Sequence, residues 1–262
     1  MRIATLAAVL AIVALPVGCG KEQPTGESRS QPVELLLYCG AGLRPVADEL
    51  IRVFDSAHNT RIVADYAGSE VLLAKMKLIR KGDLYMPGDK YYVDQAAQAK
   101  MVLSQTPVCY FVPAILVQKG NPKNIQSLRD LTRPGLKIGF GDPQACAIGK
   151  ETRQILDKNH IYWPDIEKNV AFQSLTVNEL GLQIQAKALD AVIVWDAIAK
   201  YYQDSGTEIA IPAPMNVIST VDIAVLSFTQ NRSLAEQFAR FAASEQGRAI
   251  LIKHHYTVEL PD

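Results

Sequence analysis

Charge of one sign is what this 262-residue chain lacks most plainly: Lys plus Arg and Asp plus Glu number 27 each. Without a net field, neither nucleic acid nor an anionic membrane surface is an expected partner, and any anion has to be recognised by local geometry. Histidine is scarce, and His58, His160, His254 and His255 have no metal-ligand spacing. A Gly-x-Ser-x-Gly elbow, a His-Glu-x-x-His pair and a Walker loop are all missing, and no cysteine has a neighbouring histidine to activate it. These absences argue against an enzyme and give no reason to expect a cofactor. No apolar run reaches the roughly 20 residues that a membrane-spanning helix needs.

What the N-terminus does contain is Arg2 followed by an apolar stretch over residues 3–15 and then Leu15-Pro16-Val17-Gly18-Cys19. That pattern predicts a signal peptide over residues 1–18. Cys19 after Gly18 resembles the lipidation site of bacterial lipoproteins, with Pro16 where a leucine is usual. The resemblance implies a periplasmic or extracytoplasmic protein tethered to the membrane through a lipid on Cys19. Residues 19–32 are polar with scattered Pro and Gly, the composition of a leash.

The remaining roughly 230 residues suffice for one large domain or two lobes. Their first informative feature is Tyr38-Cys39-Gly40-Ala41-Gly42-Leu43, a loop without bulk between the apolar run Val33-Glu34-Leu35-Leu36-Leu37 and a helix opening at Pro45. Pro45 suits a first helical turn, and Val46, Leu50, Val53 and Phe54 fall on one face. A helix start leaves N–H groups unpartnered and carries partial positive charge, so it can hold an anion without lysine or arginine. The same strand, small loop and helix recurs. Strands are expected at 61–66, 83–86, 136–139, 170–172, 191–194 and 223–227, and helices at 71–79, 91–99, 150–159, from 179 to 186, 233–241 and 244–252. Residues 108–118 read as one long strand that crosses between two units, because Pro107 precedes it and Pro113 lies inside it. The alternation predicts an α/β fold with parallel sheets covered on both faces. Ligands of such sheets sit at strand carboxyl ends, here the loops 39–43, 67–70, 144–149, 176–178 and Trp195-Asp196.

Six stretches together carry a family resemblance: Tyr38-Cys39-Gly40-Ala41-Gly42-Leu43-Arg44-Pro45, Gly68-Ser69, Gly82-Asp83-Leu84-Tyr85-Met86-Pro87-Gly88-Asp89, Gly139-Phe140-Gly141-Asp142-Pro143, Thr176-Val177-Asn178-Glu179-Leu180 and Asp190-Ala191-Val192-Ile193-Val194-Trp195-Asp196. Residues 33–262 resemble a type II periplasmic solute-binding protein of the molybdate and tungstate group. The resemblance implies two doubly wound lobes joined by two crossing strands, lobe 1 being residues 33–112 plus 215–262 and lobe 2 residues 113–214. It further implies a monomeric receptor that closes on a small oxyanion and delivers it to an ABC transporter permease. The implied ligand-binding residues are Cys39, Ala41, Gly42 and Leu43 in the first loop, Ser69 in the second, and Cys146, Ala147 and Ile148 in the third. Val177 and Asn178 follow in the fourth, then Trp195 and Asp196 in the fifth. Gly42 stands where the family places a serine, and Trp195 where it places a tyrosine, offering an indole N–H for a hydroxyl.

Two other readings stay open at the level of sequence. Cys39 and Cys146 fall on facing loops, and their thiolates suit a soft ion such as arsenite, copper or zinc; equally, cysteine packs as a small buried hydrophobe. With Cys109 they make an odd set of three, which leaves at least one thiol unpaired. Some enzymes share this two-lobed fold, and fold does not fix function. Asp83, Asp89, Asp142 and Asp196 at strand ends either coordinate a cation or cap turns and helices.

Overall fold

The computed structural model describes residues 31–260. The expected signal peptide, most of the leash and Cys19 lie outside the described residues. The first run of chain is β1 (Val33–Gly40), α1 (Arg44–His58), β2 (Thr60–Ala67), α2 (Ser69–Ile79), β3 (Leu84–Met86), α3 (Lys90–Gln98) and β4 (Val102–Phe111). The second is β5 (Pro113–Gln118), β6 (Ile138–Gly141), α4 (Ala147–Lys158), α5 (Trp163–Glu167), β7 (Val170–Ser174), α6 (Val177–Gln185), β8 (Ala191–Trp195), α7 (Asp196–Tyr201) and β9 (Gly206–Ala210). The chain then returns as β10 (Ser219–Leu226), α8 (Arg232–Ala242) and α9 (Glu245–Lys253).

Two five-stranded sheets result, ordered β2-β1-β3-β10-β4 and β7-β6-β8-β5-β9. They are mixed, which corrects the expectation of parallel sheets: β10 runs antiparallel to β3 and β4, and β5 antiparallel to β8 and β9. The reason is that the chain changes sheet twice, and each crossing delivers a strand from the opposite end. The predicted strand over 108–118 is two strands in different sheets, broken at Val112; Pro113 opens β5, where a proline is tolerated. β9 and α5 have no clear sequence signal and were not expected. The return crossing is not a continuous strand but passes through a 3-10 turn, Ala213–Met215. Buried Asn216 fixes it there, its Nδ2 donating to the Pro113 carbonyl at 2.8 Å while Lys158 Nζ donates to its own carbonyl at 2.7 Å.

Apolar periodicity explains the packing. Val46, Ala47, Leu50 and Phe54 of α1 are buried against the first sheet, and Phe54 meets Phe238 of α8 edge-on with ring centroids 5.2 Å apart. Val53, expected on the same face, is only half-buried. Helix α1 stops at Asn59 in the left-handed conformation, a position asparagine tolerates. In the second sheet β8 lies between β6 and β5 and every residue of Ala191–Trp195 is buried, which is why that strand is apolar throughout rather than alternating.

Candidate functional site

The strand ends of the two sheets meet. From the first lobe, Gly40, Ala41, Gly42, Ala67, Gly68 and Ser69 line a cavity; from the second come Cys146, Ala147, Thr176, Val177 and Trp195. No lining residue is charged. The enclosed space is about 10 Å³, room for one water-sized sphere. Helices α2, α4 and α6 all begin here, with Gly68, Cys146 and Thr176 as their extended N-cap residues, and none of the three is capped by its side chain. Side-chain caps occur on α3 and α9, through Asp89 and Ser244, and are absent from α1, α5, α7 and α8 as well, so it is the convergence of the three starts that marks this place. Three helix N-termini therefore present backbone N–H donors and partial positive charge to one small space.

Close approach of the lobes explains the glycines. A Cβ on Gly68 would fall 2.2 Å from the Ala145 carbonyl oxygen and 2.7 Å from that of Leu175. Gly42 is linked to Trp195: a Cβ there would lie 2.6 Å from the indole Cζ3 and 2.8 Å from Val177 Cγ1. The serine that the family resemblance puts at Gly42 has no room beside this ring, so the two departures from the family pattern are one exchange of a hydroxyl for an aromatic wall.

The expected site residues separate into two groups. Ala41, Gly42, Ser69, Cys146, Ala147, Val177 and Trp195 line the cavity; Cys39, Leu43, Ile148, Asn178 and Asp196 do not. Ser69 Oγ accepts the Gly88 N–H at 3.0 Å, which leaves its hydroxyl proton for another acceptor. Asn178 instead holds the lobes together, its Nδ2 donating to the Ala41 carbonyl at 3.0 Å. Asp196 caps its own helix through the Ala197 N–H at 2.8 Å and accepts from Thr257 Oγ1 at 2.8 Å. Trp195 does not offer its N–H to the cavity. Nε1 donates to Glu151 Oε2 at 2.8 Å, and the indole stacks on Phe111 with centroids 3.8 Å apart. The expectation of an indole donor is corrected to an indole wall.

The thiols behave as packing groups. Cys39, Cys109 and Cys146 are all unpaired and buried. Burial pushes Cys39 well above the ordinary thiol range, aided by Asp48, and raises Cys109 as well. It pushes Cys146 up to about 12 against a backbone bond from Gly149. Cys146 Sγ donates to the Asp142 and Ser174 carbonyls at 3.6 and 3.8 Å. No group of three or more His, Cys, Asp or Glu suited to a metal occurs among the described residues. The aspartates serve turns and caps: Asp83 accepts from Leu36 N and Thr229 Oγ1, Asp89 from Tyr91 N and Asp142 from Gln144 N.

Gly40, Ala67, Gly68 and Thr176 complete the lining; all four lie in the strand-end loops 39–43, 67–70 and 176–178 expected from the sequence, though none was among the expected ligand residues. Sequence reasoning missed Glu151 and Tyr256. Glu151, which no motif marks, is fully buried. Tyr256, equally buried, donates its hydroxyl to the Gly42 carbonyl and so fixes the first loop from behind.

The sequence profile described as "Bacterial extracellular solute-binding protein" matches residues 35–257. The chain belongs to this solute-binding protein family. It is 26% identical over 246 residues to the molybdate-binding protein ModA of Mycobacterium bovis, covering 92% of each chain. Among solved structures, this solute-binding protein superposes on the periplasmic molybdate-binding protein of Azotobacter vinelandii with a TM-score of 0.72 at 16% identity, covering 87% of this chain and 100% of that one. It superposes on the sulfate-binding protein SubI of Mycobacterium tuberculosis with a TM-score of 0.74 at 16% identity, covering 86% of each. The two-lobed type II periplasmic binding fold is thereby shown, and the solute-binding protein has binding proteins, not enzymes, for relatives.

Proposed function

We propose that the protein is the receptor of an ABC importer and captures a small tetrahedral oxyanion of the molybdate, tungstate or sulfate type between its lobes. The observation that carries this reading is the convergence of three helix N-termini without side-chain caps on a small space lined by no charged residue. Such a site offers an anion fixed N–H dipoles from both sides, with the Ser69 hydroxyl as a further donor. Because the donors come from both lobes, the anion binds the closed form better than the open one, and that difference drives closure.

The ligand set of this reading is the first turn of each of those helices, Ala41 and Gly42, and Ser69. The boundaries fall where the chain changes sheet, with residues 33–112 and 215–262 around the first sheet and 113–214 around the second. The protein acts as a monomer at the extracytoplasmic face, held by a lipid on Cys19, and hands its ligand to the permease. The soft-ion alternative draws no support from the geometry, since Cys39 does not line the cavity and all three thiols are held protonated by burial.

Calorimetric titration of the purified protein with molybdate, tungstate, sulfate and arsenite tests the reading. At least one tetrahedral oxyanion is expected to bind at one per chain and to change Trp195 fluorescence. Binding of arsenite alone, lost in Cys146→Ser, overturns it.

A further inference from the structure

Glu151 is a buried acid with no counter-charge. Its side chain is fully inaccessible, and no ion pair among the described residues reaches it. Its partners are two neutral donors: Trp195 Nε1 at 2.8 Å on Oε2, and Ser219 Oγ on Oε1. Those donors lie on different sheets, since Trp195 ends β8 of the second and Ser219 opens β10 of the first. The carboxyl thus bridges the lobes beside their crossing. Glu151 also stands four residues after Ala147, the cavity-lining first residue of α4, one helical turn or about 6 Å along the axis.

We propose that the protein takes up its anion together with a proton, and that Glu151 carries that proton. The inference rests on the oxyanion reading of the cavity. With the lobes apart, water reaches the carboxyl beside the crossing and the group ionises as an ordinary carboxylate. Closure strips that water away and brings an anion within one helical turn, so desolvation and like-charge repulsion both favour the neutral acid. A proton from solvent then bonds to a carboxyl oxygen. On Oε1 it donates to Ser219 Oγ, which turns from donor to acceptor, while Oε2 keeps accepting from the indole.

The surroundings act in the same sense. Burial, with Asp89 at the start of α3 adding to it, moves Glu151 up to about 8, against the bonds from Ser219 and Trp195 and the charge of Lys150. The cation that acts on it, Lys150, has its Nζ held over the Tyr91 ring rather than against the carboxyl. The remaining titratable neighbours, Tyr92 on α3 and Cys146 at the start of α4, are themselves pushed up by burial and stay neutral.

The test is calorimetry of the full protein with sodium molybdate and with sodium sulfate, from about pH 6 to about pH 10, in buffers of different ionisation enthalpy. From about pH 6 to about pH 8 the wild type is expected to take up close to one proton per anion, with affinity falling about tenfold per pH unit, and both effects are expected to fade at the alkaline end, where the closed form ionises as well. Glu151→Gln, which keeps the shape and the acceptor for Trp195, is expected to take up none and to bind with a flat pH profile. Ser219→Ala removes a bond that favours the carboxylate and is expected to extend the proton uptake and the fall in affinity to higher pH. Anion binding by the wild type without proton uptake, or the same uptake in Glu151→Gln, overturns the proton link alone. Failure of both anions to bind at every pH overturns the oxyanion reading and the proton link together.

Discussion

The two walls of the cavity are built differently. The first lobe contributes glycines, alanines, one serine hydroxyl and the start of α2, and behind that wall Tyr256 holds the Gly42 carbonyl. The second lobe contributes the starts of α4 and α6 and a tryptophan whose ring is braced by Phe111 and whose N–H is braced by a buried acid. One side is nearly all backbone, whose donors do not titrate. The other depends on side chains that have to be positioned, and so can be tuned by substitution or by pH. On the oxyanion reading, the contrast assigns ligand class to backbone geometry common to both lobes, and size and pH response to the tryptophan side.

Substitutions can break this contrast. The largest effect is expected at Gly68, where any side chain meets the carbonyl oxygens of Ala145 and Leu175. Gly68→Val should prevent closure and lower anion affinity by about a hundredfold or more while leaving the thermal midpoint nearly unchanged, as calorimetry beside a melting curve would show. Trp195→Ala should act on stability instead, by about 3–5 kcal/mol, because it opens a hole against Phe111 and leaves Glu151 without one of its donors; chemical denaturation measures this. A next smaller effect concerns pH. With saturating anion holding the lobes closed, Glu151 keeps its proton to about 8, whereas an unfolded carboxylate loses it near the ordinary value. The folded state therefore binds more protons between those values, and stability should fall as pH rises through that window by up to about 1.4 kcal/mol per unit. Glu151→Gln should flatten that slope in a series of denaturation curves. Ser69→Ala should weaken anion binding by about tenfold, the worth of one hydrogen bond to a charged group. Cys39→Ala should change affinity by less than about twofold, since that thiol lies outside the cavity.

How far the chain could be read follows from which forces are local. The first sheet's helices were legible because Val46, Leu50 and Phe54 repeat at helical spacing, and five strand-end loops could be named before any contact was known. Strand direction was not legible: whether β10 runs with or against β3 depends on which end of the sheet the returning chain reaches, and nothing in Ser219–Leu226 states that. In the site, loop position carried over and side-chain role did not. Gly42 read as a lost hydroxyl, yet its meaning depends on a ring more than a hundred residues later that occupies the space. Glu151 gave no signal because the burial of a charged residue is decided by two elements, β8 and β10, that meet it only after folding. Asn178 lies near the cleft as expected from the fourth loop, and its side-chain amide reaches a carbonyl of the opposite lobe, a pairing no local pattern announces.

The missing charge in the cavity has a consequence for where such a receptor can work. A lysine or arginine at the mouth would draw anions in from a distance, but that pull fades as dissolved salt rises, over about 8 Å at physiological ionic strength. Peptide dipoles fixed at helix starts act at contact and inside a closed, dry space, where mobile ions do not enter. On the oxyanion reading, the grip of this protein on its anion is then nearly indifferent to the salinity of the surroundings. Its holding power should be the same in fresh water as in brine.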